Sequence, residues 1–543
     1  MRLVPRLLPS IWSGLAGDYC RAYPRVADLF EYDPYDSERF SQRARALAGQ
    51  FAADRRLVVD ALEEYNRSLE VDVATLANLT RLREDQCLAV VTGQQAGLLT
   101  GPLYTLYKAL SCIAWAGRLQ EQLRRPVVPV FWVASEDHDY AEIDHIWLPG
   151  SDGSLTCLRL DEKPPGSPPV GLIPVGDSVG RLVESLSQVT NPSEFKEEIL
   201  RAIRDRAAAS HGLGDFFARL MAELTGGTGL VFVDPLSPRL RSLMTTVFQC
   251  CLSQRAALRA GLAQATRAVA EAGYQPQLEM GPQAVHLCLI HNGNRRSLWE
   301  EEPGVASDRH GEVRVTIEEL TAIAGQRPQL LSPNVVLRPL VQDYLLPTLA
   351  HLAGPGEIAY YGQLKPVYRA LGMSMPVIIP RASLTLVECT QQRHLKRFGL
   401  DFEEMVRQGE AGLEHYLRQQ DELALPALFA GLRKEIMRAY HPVIEQLRRL
   451  SPDLAGLGQA NLERVIDQVG WLDDKAAKYH RQRHEVAVGQ YQRLIAHLWP
   501  GGGPQESRLN PYYYLFKYGR ELIKALLAAP LTASGQHIIA DLA

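Results

Sequence analysis

Cys87-Leu88-Ala89-Val90-Val91-Thr92-Gly93-Gln94-Gln95-Ala96-Gly97-Leu98-Leu99-Thr100-Gly101-Pro102 decides the fold. Its first six residues are a short apolar run. The glycines at 93, 97 and 101 then mark a loop, and a helical pattern runs from there to about Leu123. After Arg124-Arg125-Pro126, the segment Val127-Val128-Pro129-Val130-Phe131-Trp132-Val133-Ala134 has the β-branched and aromatic content of a buried strand. Strand, loop, helix, strand is a βαβ unit, and such units build parallel sheets, so the predicted class is α/β.

Working outward, residues 1–85 read as mostly helical. The Pro/Gly punctuation of Lys163-Pro164-Pro165-Gly166-Ser167-Pro168-Pro169 predicts that an insertion leaves the sheet, and Leu230-Val231-Phe232-Val233 reads as a return strand. A second insertion carries a hairpin signal at Asn292-Gly293-Asn294. The core is expected to resume at Asn334-Val335-Val336-Leu337-Arg338-Pro339 and to end near Met375-Pro376-Val377-Ile378-Ile379-Pro380-Arg381. From about 385 the chain reads as helical without strands. Leu462, Val465, Val469, Leu472, Ala476 and Tyr479 follow a coiled-coil seam, and Leu432, Ile436, Ala439 and Val443 form a second seam interrupted at Pro442. The chain thus divides into an N-terminal helical part (1–85), a first core half (86–150), a first insertion (151–225), a core return segment (226–274), a second insertion (275–330), a second core half (331–384), a helical coiled-coil domain (385–500) and a tail (501–543) that packs on the core and ends in a helix.

Composition bounds the function. The 543 residues carry 58 Lys+Arg against 62 Asp+Glu, which argues against coating nucleic acid or a membrane through bulk charge. Residues 431–499 hold 11 Lys/Arg and 8 Asp/Glu, a solvated helical face rather than a nucleic-acid arm. The eight cysteines are scattered without a CxxC pair, so neither a disulfide framework nor a four-cysteine zinc site is expected. No run of about 20 apolar residues spans a membrane, and Arg6 with Pro5 and Pro9 breaks any signal-peptide core. The expected location is the cytoplasm.

Three segments carry chemistry. In the first, a glycine loop leaving a strand and opening a helix presents backbone N–H groups that cradle phosphate or carboxylate. Gly93, Gly97 and Gly101 permit close approach, Gln94, Gln95 and Thr100 add hydrogen bonds, and Lys108 stands about two turns into the helix. The spacing matches neither standard nucleotide motif, and a tight structural turn is the plain alternative. In the second, Glu136-Asp137-His138-Asp139 sits at the carboxyl end of a strand, where α/β sheets build ligand crevices. A carboxylate at Asp137 or Asp139 orients His138 as a general base, and no metal site is assigned. In the third, Arg338, Asp343, Gly354, Gly356, Glu357, Tyr360, Gln363, Lys365 and Arg381 form a dense polar set between apolar strands. The arginines suit a substrate carboxylate, or a structural pair with Asp343 or Glu357.

Thr100-Gly101-Pro102-Leu103-Tyr104-Thr105-Leu106-Tyr107 resembles the segment of class I aminoacyl-tRNA synthetases before their paired histidines, with Tyr104 and Tyr107 in the histidine positions. A wider likeness covers nearly the whole chain. Val91 to Lys108, Pro129 to Asp139, Asn334 to Pro339 with Gln342-Asp343, Gly354 to Tyr360, Gln505-Glu506-Ser507 and Lys517-Tyr518-Gly519 resemble the bacillithiol biosynthesis cysteine-adding enzymes. That resemblance implies a Rossmann-like core with two connecting insertions and an α-helical coiled coil that pairs protomers into a homodimer. It implies a ligase that joins L-cysteine by an amide bond to the amine of glucosaminyl malate. On that reading the Gly93–Gly101 loop and Lys108 hold the activating phosphate or acyl oxygen, and His138 takes the amine proton. Arg338 or Arg381 pairs with the malyl carboxylates, and Gln94, Gln95 or Glu357 with sugar hydroxyls. The activating cofactor stays open, ATP with Mg²⁺ being one such scaffold's choice. No zinc ligand set is evident, and the thiol has no assigned partner. Two rivals stand beside it: an amino-acid ligase with another amine acceptor, and an inactive synthetase-like scaffold acting as a dimeric assembly protein.

Overall fold

Five parallel strands build the central sheet: β1 (Leu88–Gln94), β2 (Val127–Val133), β3 (Val231–Val233), β4 (Thr348–Ala353) and β5 (Val377–Pro380). In the computed structural model, which describes residues 3–50, 53–150 and 152–542, their order is β5-β4-β1-β2-β3. Every residue of β2 to β5 is buried, as a sheet covered on both faces requires. The faces alternate with period two. Ala89, Val91, Val128, Val130 and Trp132 pack into one apolar cluster, and Leu88, Val90, Val127, Phe131 and Val133 into the other. Helix α1 (Leu103–Leu123) is the crossover from β1 to β2.

The chain leaves β1 for β2 and β3, then returns to lay β4 on the opposite side of β1. The reversal leaves a crevice beyond the carboxyl ends of β1 and β4. Helix α2 (Pro355–Tyr361) starts at that end of β4, with Pro355 in its first turn and Glu357 bonding back to Gly354 N–H at 2.7 Å.

The first insertion is largely helical, with helices at Asp177–Val189, Lys196–Ala208 and Leu213–Leu224. The second contains an antiparallel sheet whose main hairpin pairs Ala284–His291 with Asn294–Glu302. Asn292 (φ 48°) and Gly293 (φ 77°) make the expected two-residue turn between them. Two readings change. The core does not resume at Asn334 as a strand: Leu331–Pro333 joins the antiparallel sheet, and Arg338–Leu345 is a helix. The tail also ends in a strand rather than a helix. Gln536–Leu542 lies between Leu3–Pro9 and Ser383–Glu388, and Pro5 and Pro9 sit on the edge strand, where a missing N–H is tolerated.

The chain divides into two compact units, and Pro149–Leu155 with Glu388–Pro504 forms the second. Its long hairpin consists of α3 (Leu425–Leu450), which contains Pro442, and α4 (Pro452–Arg483). Ile444, Ala455 and Leu462 pack with Ile436, Tyr440 and Ile466 inside it. Val443, Leu472 and Tyr479, read as seam residues, are instead exposed. Among the described residues no helix is long and apolar enough to cross a membrane.

The loop after β1 is strained. Leu99 (φ 45°) and Thr100 (φ 66°) adopt left-handed backbone ahead of Gly101 (φ 70°), and the tail's Asn510 Nδ2 donates to Leu99 O at 2.9 Å and to Gly101 O at 2.8 Å. Asn510→Ala should therefore lower unfolding stability by about 1–3 kcal/mol in urea titrations, and adding Thr100→Gly should restore part of the loss. An unchanged midpoint for Asn510→Ala would mean that the loop holds its shape without the tail.

Candidate active site

A cavity of about 520 Å³ opens at the carboxyl ends of β1 and β4. From the β1 side it is lined by Gly93, Gln94, Gln95, Tyr104 and Lys108, and from the β4 side by His351, Gly354, Gly356, Glu357 and Tyr360. Trp132, Asp137 and Glu142 follow β2, and Arg338, Gln342, Tyr361, Arg381 and Ser507 complete the polar wall. Gly93 has no room for a side chain, since a Cβ there would lie 2.8 Å from Trp132 O.

An ion pair between a buried lysine and a half-buried glutamate crosses the crevice. Lys108 Nζ lies 2.5 Å from Glu357 Oε2 and donates to Gly93 O (2.7 Å) and Gln94 Oε1 (2.9 Å). Burial draws the lysine pKa down, with Glu357 pulling the other way. Burial also pushes the Glu357 carboxyl up, but the Lys108 ammonium, His351 and the Gly354 N–H outweigh it and hold the group at about 2. His351 Nε2 stands 3.7 Å from Glu357 Oε1.

A second charged cluster backs the wall. Arg338 pairs with Asp137 and reaches Glu136 at 3.4 Å, and Glu136 is also bound by Arg241 at 2.8 Å. Gln95 Nε2 donates to Asp137 at 2.5 Å, and Arg295 lies 3.6 Å from the same carboxylate. Burial opposes ionisation of Asp137, yet Arg338 and Arg295 keep its carboxyl below the usual range. Arg381 donates to Glu506 at 2.9 Å and lies over the rings of Trp12 and Tyr104. The arginines thus pair with Asp137, Glu136 and Glu506, not with Asp343 or Glu357.

Several expected site residues lie outside the cavity lining. His138 is exposed, with Nδ1 3.1 Å from Arg295 Nη1, and partial desolvation followed by the Arg295 cation lowers its pKa. Asp139 is exposed beside it, and Glu136 is fully buried behind the wall. The anion cradle expected of Gly97, Thr100 and Gly101 is largely closed. Gly97 N donates to Gln95 O, Gly101 N to Leu98 O and Leu103 N to Leu509 O. Asp343 is buried and accepts from Gln342 (3.0 Å) and Tyr368 (2.6 Å). Gln363 fixes the cavity-lining segment from behind by accepting from Gln277 N and Leu278 N. Lys365 donates to Asp28 O and Phe30 O. Of the tyrosines in the synthetase-like histidine positions, Tyr104 lines the cavity, while Tyr107 is buried in α1.

Sequence reasoning missed Trp132, His351 and Tyr361. Their signal was position, at or just past the carboxyl ends of β2 and β4. Trp132 Nε1, His351 Nε2, Tyr361 Oη, Arg381 Nε and Gln95 Oε1 are buried and lack a hydrogen-bond partner, and all five residues line the cavity. Among the described residues no group of three or more His, Cys, Asp or Glu is arranged to hold a metal ion.

A Rossmann-like parallel sheet with a polar crevice at its reversal point defines an α/β protein with a ligand-binding cleft. The family described as "Bacillithiol biosynthesis BshC, N-terminal Rossmann-like domain" matches residues 6–382, and "Bacillithiol biosynthesis BshC, C-terminal coiled-coil domain" matches residues 384–542. The chain belongs to the bacillithiol biosynthesis BshC family. It is 38% identical over 543 residues to a protein of Heliobacterium modesticaldum named "Putative cysteine ligase BshC", covering 98% of each chain. Proteins of the same name from Symbiobacterium thermophilum (36% over 540 residues, 97% of each) and Bacillus cereus strain Q1 (30% over 530 residues, 97% of this chain and 98% of the other) are similar along the same extent.

The ion pair makes a stability test. Lys108→Met leaves Glu357 uncompensated and should cost about 3–5 kcal/mol in urea unfolding, while Lys108→Met with Glu357→Gln should recover most of it. A carboxyl held at about 2 against about 4.3 when unfolded contributes roughly 3 kcal/mol at neutral pH. That contribution is present above the unfolded value and fades as pH falls through the folded one, so the double variant should lose this acid-dependent part of its unfolding profile. Additive single and double effects would show the two groups to be uncoupled.

Proposed function

We propose that this cavity joins the carboxyl carbon of L-cysteine to the amine of glucosaminyl malate through an amide bond, completing bacillithiol. Family membership supports the reaction, and the unpartnered buried donors at Trp132, His351 and Arg381 carry the substrate reading. Buried donors without partners cost about 1–3 kcal/mol each, so a bound molecule rich in acceptors is what relieves them. A sugar bearing hydroxyls and two carboxylates is such a molecule.

Arg338 and Arg381 receive the malyl carboxylates, and Gln94, Gln95 and Glu357 receive sugar hydroxyls. Lys108, at the head of the crevice, faces the acyl oxygen of an activated cysteine. The amine nitrogen adds to that carbon, the bond to the activating group breaks, and the amine proton must leave. Glu142 suits that proton better than His138. Like His138 it is exposed, but it lines the cavity, and partial desolvation followed by Asp139 and Asp137 raises its carboxyl from the ordinary value. The Nδ1 lone pair of His138 already faces Arg295. Arg338, Lys108 and Arg381 each already have a carboxylate partner, so the malyl carboxylates would share these cations with Asp137, Glu357 and Glu506. On this reading the reaction belongs to the cytoplasm.

We also infer a homodimer through the helical hairpin. Leu457 (67% exposed), Trp471 (58%) and Tyr479 (72%) leave apolar surface on α4, and Leu428 and Val443 do so on α3. Leu457 and Trp471 are two heptads apart, on one face, where a second copy of the hairpin covers them.

Incubation with glucosaminyl malate, labelled cysteine and Mg-ATP should yield the amide by mass. Omitting ATP identifies the energy source, and no product with no sugar binding would favour an inactive scaffold. Glu142→Gln should lower kcat by about 10²–10⁴-fold with KM little changed, while His138→Ala should retain turnover. The reverse pattern would return the base to His138. In sedimentation equilibrium, Leu457→Glu with Trp471→Glu should convert a dimer to a monomer; a wild-type monomer would end the dimer reading.

A further inference from the structure

His351 lies on β4 between Val91 of β1 and Ile378 of β5, with its ring 4.9 Å from that of Tyr361. Its residue lines the cavity, and its surroundings determine which ring nitrogen carries the proton. Gln342 Nε2 donates to Asp343 Oδ1 at 3.0 Å, and Asp343 Oδ2 accepts from Tyr368 at 2.6 Å. Burial pushes the Asp343 carboxyl up, opposed by the Arg43 cation and by hydrogen bonds from Tyr368, Thr348 and Gln342; with its Oδ1 acting as the acceptor, the glutamine presents its nitrogen to it. The same nitrogen stands 3.4 Å from His351 Nδ1. With one amide proton directed to Asp343 and the other to His351, Nδ1 keeps its lone pair and the ring proton sits on Nε2. A neutral imidazole in that tautomer donates from Nε2 and is no base there.

The donor has no hydrogen-bond partner, and an acceptor, Glu357 Oε1, stands 3.7 Å away. That gap is too long for a hydrogen bond between the two, and it leaves both edges to a bound molecule. The chemistry of what bridges them is restricted. A carboxylate would accept from His351 but meet the Glu357 charge, and an ammonium would pair with Glu357 but meet the Nε2 proton. A hydroxyl accepts from one and donates to the other, and a thiol has the same polarity but bonds weakly. We propose that Gln342 and Asp343 fix His351 as its Nε2–H tautomer, and that His351 and Glu357 together grip one hydroxyl of the amino-sugar substrate. The identity of the sugar rests on the function proposed above. Asp343 and Gln342 are then positioning residues that act through His351.

Two measurements test this. Two-bond ¹H–¹⁵N spectra of histidine-labelled protein should show His351 with its proton on Nε2 in the wild type, and a mixture of tautomers in Gln342→Leu. Calorimetry with glucosaminyl malate and its three singly deoxygenated ring analogues should show one analogue binding about tenfold more weakly to the wild type. His351→Gln, whose amide nitrogen stands near the Nε2 position, should keep that discrimination, whereas His351→Asn and His351→Ala should bind the four compounds alike. A proton on Nδ1, or His351→Ala discriminating as the wild type does, overturns the inference. Undiminished binding of the analogues with discrimination between cysteine and serine at this position would assign the grip to the thiol and overturn the sugar assignment. If the wild type binds no glucosaminyl malate at all, the proposed function fails, while the tautomer spectra still judge the role of Gln342 and Asp343.

Discussion

A buried ammonium and a half-buried carboxylate, 2.5 Å apart, hold the two sides of the sheet's reversal point in register. Lys108 belongs to the helix after β1 and Glu357 to the helix after β4. The Lys108 ammonium could not stand alone at that depth, because it would retain a desolvation penalty of several kcal/mol without its partner. The pair therefore constrains more than itself. Lys108 also binds Gly93 O and Gln94, and Glu357 also binds Gly354 N–H, so both strand ends are fixed by one interaction. Everything that lines the cavity is placed relative to that fixed floor, which suits catalysis by preorganised charge.

The wall behind the floor is assembled from segments far apart in sequence. Glu136 follows β2, Arg241 lies in the return segment, Arg295 in the second insertion and Arg338 in the helix beyond it. The carboxylates at 136 and 137 gather three guanidiniums, which compensates these acids. The second insertion is consequently part of the site's electrostatics and not an ornament on the core. His138 shows the cost to a simple motif reading: its neighbouring carboxylate serves Arg338, and its own ring nitrogen faces Arg295.

The sheet was legible because β1 and β2 are continuous apolar runs bounded by glycine and proline, and the loop between them contains the residues that reach the cavity. Strand β4 was not legible. Thr348-Leu349-Ala350-His351-Leu352-Ala353 is a short run with two alanines and a histidine, which periodicity alone does not separate from a helical segment. With β4 unread, His351 had no visible position, although Gly354 and Glu357 immediately after it were recognised as part of a dense polar set between apolar strands. Gln363 and Lys365 were drawn into the site by their nearness in sequence to Glu357. One turn of α2 and a bend direct them away, to the backbone of 277–278 and of residues 28 and 30. Pairings such as Arg381 with Glu506 depend on tertiary return of the tail, which no local pattern encodes.

That return has a consequence for how the molecule is organised. The helical unit occupies Glu388–Pro504, and from Gln505 the chain rejoins the first unit. On rejoining, Gln505 pairs with the backbone of Leu386, Glu506 receives Arg381, Ser383 and Leu384 N–H, and Asn510 holds the strained carbonyls of the glycine loop. The helical unit is thus an insertion into the enzyme, and the site is closed by residues more than 100 positions beyond the strand they brace. Closing the chain over such a sequence separation costs loop entropy that the contact must repay. Arg381, buried beside Trp12 and Tyr104, would be an uncompensated charge until Glu506 arrives. Completion of the cavity is therefore coupled to docking of the tail.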